Sequence, residues 1–299
     1  MFNYLFQHLL SDKDIRAFNG NYFYYLIFRL FRHFITGEFK ISIFNFYVYS
    51  SASSSETSHS LIKKCNFSDT HELDTINKFN KYKNILFLDC GSNFGFYSLY
   101  VASLSKKNRI FAFEASNKTK LQLDKNISVN NFNNIISNNK AISDIENKEL
   151  IFNVSDNDWE SSLTHSDFIS FKSENILTTT IDHEMKLQNF ISDYFLIIKI
   201  DIEGHEFNAI KGAEKTIKFY NPLIIIELSK YNLFNYEYNF SYFQKFLNDF
   251  NYKIYNVRLE PVAIDDILKL LDGLRGNKTV GNYYLVKDNS VEKNILLSN

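Results

Sequence analysis

Beyond Asn84 four continuous apolar runs of strand length, at 85–88, 110–113, 194–200 and 223–226, alternate with amphipathic stretches. Runs that are apolar on both faces predict strands of a parallel sheet covered by helices on either side. The stretches between them, 94–105, 117–130 and 206–220, have helical length and predict those helices. Shorter polar or alternating strands are expected at 135–141, 149–154 and 175–180, and a helix at 240–250. Strands at 252–257 and 283–286 lie close enough to form an antiparallel edge pair. The pattern predicts an α/β fold with a doubly wound sheet.

Before Asn84 the pattern differs. Residues 1 to about 35 read as one or two aromatic-rich helices, 39–50 as paired short strands, and 72–79 as a helix. The Ser-rich stretch SASSSETSHS has no core-forming residue and reads as a loop. The expected organisation is an N-terminal extension over 1–83 and one domain over 84–299.

Composition narrows the function classes. A net charge of −1 argues against nucleic-acid binding, which works through basic excess. Two cysteines exclude a disulfide framework and a Cys-rich zinc site. Phe, Tyr, Asn, Ile and Lys are all over-used, as an AT-rich coding sequence would leave them, so isolated aromatics carry no weight. The start of the chain lacks a basic leading region and a small-residue cleavage site. The most lipid-like stretch, 22–31, is broken by Arg29 and is far shorter than a membrane span. A cytoplasmic protein without a transmembrane segment is expected; nothing in the sequence sets an oligomeric state.

Chemistry concentrates at the strand ends. Asp89-Cys90-Gly91-Ser92-Asn93-Phe94-Gly95 follows the first apolar run and opens a helix, where an open parallel sheet places its ligand. The spacing is G-x-x-x-G after an acid, and Asn93 stands where the dinucleotide fingerprint needs its second glycine. Such a turn suits a nucleoside without a diphosphate. Glu114 ends the second run about twenty positions after Gly91, the offset of a ribose-binding acid. The third run ends in Lys199-Ile200-Asp201-Ile202-Glu203-Gly204-His205-Glu206, a charge density that is costly unless paired or liganded. Lys199 and Asp201 share strand parity and are expected to pair. Glu227 ends the fourth run and should face the same cleft. His205 has the unperturbed pKa best suited to proton abstraction near neutrality, while Glu206 is equally explained as a helix-start acid.

The blocks FLDCGSNFGFYSL, FAFEAS, LTTTIDHEM, IKIDIEGHEFNAIKGAE and PLIIIEL, with the segment 121–130, resemble in order and spacing the FkbM-type S-adenosylmethionine-dependent methyltransferases. The resemblance covers about residues 84–257 and leaves out the N-terminal extension and an insertion at 258–281. It implies a class I, Rossmann-like methyltransferase sheet of seven mostly parallel strands with an antiparallel edge hairpin. It places Asp89, Gly91, Asn93, Gly95, Glu114 and Ala141 at the cofactor, S-adenosylmethionine. Asp201 and His205 are the expected proton acceptors, with Lys199 orienting Asp201. Glu203, Glu206 and Glu227 are expected at the acceptor, together with Trp159, the single tryptophan. Members mostly O-methylate sugars, polyketides and related metabolites, so a small-molecule or glycan acceptor is expected. Mg²⁺ on Asp201, Glu203 and Glu227 is a further option, since carboxylates are hard oxygen ligands.

Three rival readings differ in kind. A nicotinamide oxidoreductase lacks its G-x-G-x-x-G here. An RNA or protein methyltransferase is disfavoured by the neutral charge and by the missing N/D-P-P-Y block. A non-catalytic cofactor-binding scaffold leaves the acids unexplained.

Overall fold

The structure is a computed structural model that describes residues 38–51, 70–154, 172–187, 193–229, 240–267 and 280–298. The helices expected before residue 36 and the loop at 52–60 lie outside the described residues, as does Trp159.

The central sheet forms from the four apolar runs. β3 (Asn84–Cys90), β4 (Arg109–Phe113), β9 (Tyr194–Ile200) and β10 (Leu223–Ser229) are parallel neighbours, with β5 (Ile135–Asn138) beyond β4. On the other side β13 (Val280–Lys287) pairs antiparallel with both β10 and β11 (Tyr252–Asn256). The strand order is β12-β11-β13-β10-β9-β3-β4-β5. This is the expected doubly wound sheet with an antiparallel edge, enlarged from seven strands to eight. The extra strand, β12 (Pro261–Val262), is a two-residue pairing inside the segment taken as an insertion.

Alternate side chains of each run enter two different cores. Ile85 and Phe87 join α1 (Thr70–Tyr82), α2 (Phe96–Leu104) and α8 (Val291–Leu297) on one face. Leu86, Leu88 and Cys90 face α4 (Ile181–Leu187), α5 (Glu206–Lys211), α6 (Glu214–Tyr220) and α7 (Phe240–Asp249) on the other. Burial on both sides explains why these strands read as unbroken apolar runs.

Two predicted elements divide. The strand expected at 135–141 ends at Asn138, and beyond it the side-chain Nδ2 of Asn139 donates to the carbonyls of Glu114 and Ala115. Residues 141–142 form β6 in a separate small sheet with β7 (Glu149–Val154) and β8 (Lys172–Thr179). The helix expected at 206–220 breaks between α5 and α6. Asp182 of α4 accepts from the backbone nitrogens of Lys215 and Thr216, capping α6 at its start. The short helices α4 and α8 have too few turns to show a periodicity.

The described part of the N-terminal extension is built into the body. β1 (Glu38–Ile43) and β2 (Phe46–Ser51) form a hairpin whose Ile43, Phe46 and Val48 are buried in the α2-side core. The outer edge of β2 is closed by Gln122 and Asn126 of α3 (Asn117–Val129) and by Asn130 at its C-cap, one residue per turn. Such side-chain pairing hides an otherwise sticky edge. Among the described residues no helix is long and apolar enough to cross a membrane.

Candidate active site

In-register pairing brings the carboxyl ends of β3, β4, β9 and β10 level. Cys90 lies beside both Phe113 and Ile200, and Ile200 lies beside Ile226. The next residues are Gly91, Glu114, Asp201 and Glu227, so the four sequence-predicted strand ends form one rim.

At that rim the first-strand turn is fixed by backbone contacts. The nitrogens of Gly91 and Ser92 both donate to the Phe113 carbonyl, at 3.0 and 2.9 Å. Asp201 N donates to the Cys90 carbonyl at 3.0 Å. Gly91 has φ +80°, and a Cβ there would lie 1.8 Å from the Asp201 carbonyl oxygen. The two motif blocks therefore touch through their main chains. Asn93, at φ 50°, takes the left-handed conformation that asparagine tolerates better than most residues. Its nitrogen donates to Glu114 Oε2 at 2.8 Å, and Ser116 N donates to Oε1 at 2.9 Å. Burial lifts the Glu114 pKa to about 7 against those two stabilising amides. Gly95 sits at the start of α2, packed against Leu123.

The acidic cluster occupies the same edge. Lys199 Nζ donates to Asp201 Oδ2 at 2.7 Å, as the shared parity predicts. Lys199 is buried and lies over the Tyr97 ring, 4.6 Å from its centroid. Burial alone would weaken its hold on a proton, but Asp201 and Asp89 reverse that and raise its pKa. Oxygens of Asp201, Glu203 and Glu227 lie within 4.8 Å of one another. Glu227 lies against Asp201, and burial together with Asp201 and Glu203 raises its pKa well above the ordinary range. Glu203 reaches this position at φ 52°, a conformation that costs a non-glycine residue about 1 kcal/mol or more. The Asp201 side chain keeps 30% of its surface exposed, against 4% for Lys199. Asp201 can touch a ligand; Lys199 cannot.

Four expected site residues are placed elsewhere. Asp89 is 1% exposed and accepts from Ser98 Oγ of α2 at 2.6 Å, so it braces the turn from beneath. His205 is turned to Ser143, with Nε2 3.0 Å from Oγ, and burial lowers its pKa to about 4. A neutral, weakly basic imidazole is a poor proton acceptor near neutrality. Glu206 turns back on its own loop, accepting from Gly204 N at 2.9 Å and Ile202 N at 3.3 Å. This is the helix-start role that its position also allowed. Ala141 is buried in β6 among Phe152 and Ile176, in the small sheet's core.

The sequence reading missed Ser98 and Tyr97, which bracket Asp89 and Lys199 from α2. It also missed Glu72 of α1, whose carboxylate accepts from Asn282 Nδ2 of β13 at 2.7 Å. No spacing rule links residues so far apart along the chain.

Residues 89–254, more than half of the chain, match the methyltransferase FkbM domain family. The chain belongs to the FkbM methyltransferase family. The matched span begins at Asp89 and includes both motif blocks. No curated protein matches it. Among solved structures it is similar to the methyltransferase FkbM of Methylobacillus flagellatus KT, at 18% identity and TM-score 0.39 over 68% of this chain and 43% of that one. The chain therefore spans less than half of that protein's length. It is also similar to M. jannaschii TYW2 in complex with AdoMet, at 12% identity and TM-score 0.40 over 84% of this chain and 86% of that one. A third is the precorrin-6y C5,15-methyltransferase of Geobacter metallireducens GS-15, at 11% identity and TM-score 0.40 over 79% of this chain and 94% of that one. At these scores the structural likenesses add nothing to the family match.

The rim fits the cofactor's nucleoside end. Ser92 Oγ is buried with no hydrogen-bond partner among the described residues, and Glu114 is a desolvated acid answered by two amides. Both are polar groups that a hydroxyl-rich ligand can satisfy.

Proposed function

We propose that this FkbM-family methyltransferase O-methylates a hydroxyl group, most plainly that of a sugar in a glycan or polysaccharide or of a secondary metabolite. Residues 84–299 form the catalytic unit in this reading, and 1–83 an extension to it. The observation that carries the proposal is Asp201: partly exposed, ion-paired to buried Lys199, and level with the Glu114 turn. S-adenosylmethionine, when bound, supplies an electrophilic methyl carbon. Gly91, Asn93 and Glu114 hold the nucleoside, with Gly95 setting the start of the following helix. Asp89 and Ser98 keep the turn in shape. Asp201 orients the acceptor hydroxyl and takes its proton as the oxygen attacks. Lys199 fixes the Asp201 rotamer, and Glu227 and Glu203 line the acceptor side.

The rim carries Asp201, Glu203, Glu227 and Glu114 against one buried lysine, a field that repels the phosphates of RNA. A neutral polyol end of an acceptor fits it better. Lys199 already supplies a cation to this cluster, so we assign no role to Mg²⁺. The test is transfer of labelled methyl from S-adenosylmethionine to a panel of oligosaccharides and nucleotide sugars, with and without EDTA. Label in a methyl ether, undiminished by EDTA, is the expected result. Label only in RNA or protein would overturn the reading, and loss with EDTA restored by Mg²⁺ would put a metal on the three carboxylates.

Glu114 also makes cofactor binding pH-dependent. Accepting two ribose hydroxyls favours the ionised acid, whereas its pKa stands at about 7. Calorimetric affinity for S-adenosylmethionine should fall up to about tenfold per unit as pH drops below that value. In Glu114→Gln binding should be weak and flat over the same range. The stability sign is opposite. Glu114 and Glu206, both raised to about 7, are more readily protonated folded than unfolded. Their contribution is complete below the ordinary glutamate pKa and is lost as pH rises through about 7.

A further inference from the structure

We propose that Asn282, oriented by Glu72, binds the acceptor and recognises a second hydroxyl on the ring whose first hydroxyl is methylated. The proposal rests on the O-methylation reading and specifies its substrate class: a polyol ring rather than an isolated alcohol. Both residues lie outside the matched span 89–254, so this part of the site belongs to elements that the family match does not cover.

The placement follows from sheet register. Asn282 is directly opposite Glu227 in the antiparallel β10–β13 pair. Directly opposed residues project to the same face with Cβ atoms about 5 Å apart. Glu227 in turn has a carboxylate oxygen within 4.8 Å of one on Asp201. Asn282 therefore stands one strand beyond the proposed base, about a ring's width along the rim. It is half-buried rather than sealed.

The Glu72 contact gives the amide a direction. Oε1 of the buried Glu72 carboxylate accepts from Asn282 Nδ2 at 2.7 Å. A carboxylate takes the donor end of an amide, so Nδ2 faces Glu72 and Oδ1 is the end left to accept a hydroxyl proton. The next rung of the same seam, Thr75 Oγ1 to the fully buried Tyr284 hydroxyl at 3.0 Å, joins α1 to β13 with neutral groups. The Glu72 carboxylate, which can only accept, fixes the orientation of the Asn282 amide.

The test uses the full chain, labelled S-adenosylmethionine, and whichever sugar of the panel is methylated, together with its analogue lacking the neighbouring hydroxyl. Losing one hydrogen bond to a positioned amide should raise the acceptor KM of Asn282→Ala about tenfold, with kcat changed far less. Wild type should disfavour the deoxy analogue by a similar factor, and Asn282→Ala should not distinguish the two. Glu72→Gln should show part of the same loss. Tyr284→Phe, which cuts the neighbouring rung, should keep the wild-type KM and discrimination, and all three variants should keep wild-type cofactor affinity by calorimetry. An unchanged KM in Asn282→Ala overturns the assignment. So does an equal rise in Tyr284→Phe, which would make the seam structural only. If wild type methylates no hydroxyl in the panel, the O-methylation reading falls and the role of Asn282 falls with it.

Discussion

Asp201→Asn is expected to slow methyl transfer by about 10²- to 10⁴-fold, the usual worth of a positioned general base. Affinity for S-adenosylmethionine, measured by calorimetry, should stay at the wild-type level, because the groups assigned to the nucleoside are Gly91, Asn93 and Glu114. Asparagine is the better replacement than alanine. It keeps an oxygen 2.7 Å from Lys199, whereas Asp201→Ala strands a buried ammonium. Comparison with His205→Gln separates the two proton acceptors that the sequence offered. The imidazole is turned to Ser143 and its pKa is lowered to about 4, so this variant should retain most of its rate. Loss of cofactor binding together with transfer in Asp201→Asn would break the division of labour between the two halves of the rim. A larger rate loss in His205→Gln would move the base to the imidazole.

Among the described glycines, Gly91→Ala should be the most damaging change. The added carbon would lie 1.8 Å from the Asp201 carbonyl oxygen and 2.8 Å from its carbon, and φ +80° is strained for any residue with a Cβ. Main chain cannot swing aside as a side-chain tip can, so β3 and β9 would have to part at the rim. A cost of roughly 3–5 kcal/mol follows from combined backbone clash and strain. For a domain of this size that lowers Tm by roughly 10 °C. Gly95→Ala is the internal comparison. Its φ is +92°, but its Cβ would meet the end of Leu123, 2.4 Å from Cδ1, and a leucine methyl can move. Thermal melts should rank Gly91→Ala clearly below Gly95→Ala. Equal melting temperatures would show that the strain alone, and not the contact between the two motif blocks, sets the cost.

Much of this rim was legible in the sequence because its parts lie at strand ends. An acid or glycine that terminates an apolar run has its position fixed by the run itself. Parallel pairing in register then brings the ends of several runs together, as it does for Gly91, Glu114, Asp201 and Glu227. The pairing of Lys199 with Asp201 was equally readable, since strand parity alone puts both side chains on one face. Residues beyond the strand ends were harder to place. Glu203, His205 and Glu206 lie in the turn that leads into α5 and at its first residue, where no periodicity says which side chain faces outward. The structure turns His205 to Ser143 and Glu206 to its own backbone, and leaves Glu203 among the acids.

The sequence by itself determined the sheet, its two covered faces, the antiparallel edge and the rim of strand-end residues. Each of these follows from local periodicity and from the two sides of a strand. Only the tertiary structure decided that Asp89 is a buried brace, that the helix after Asp201 breaks where Asp182 caps its second half, and that Glu72 reaches Asn282. Those contacts join segments whose separation along the chain carries no pattern. They exist because helices and strands that pack for apolar reasons bring polar side chains within hydrogen-bonding distance, and burial then obliges those side chains to find partners.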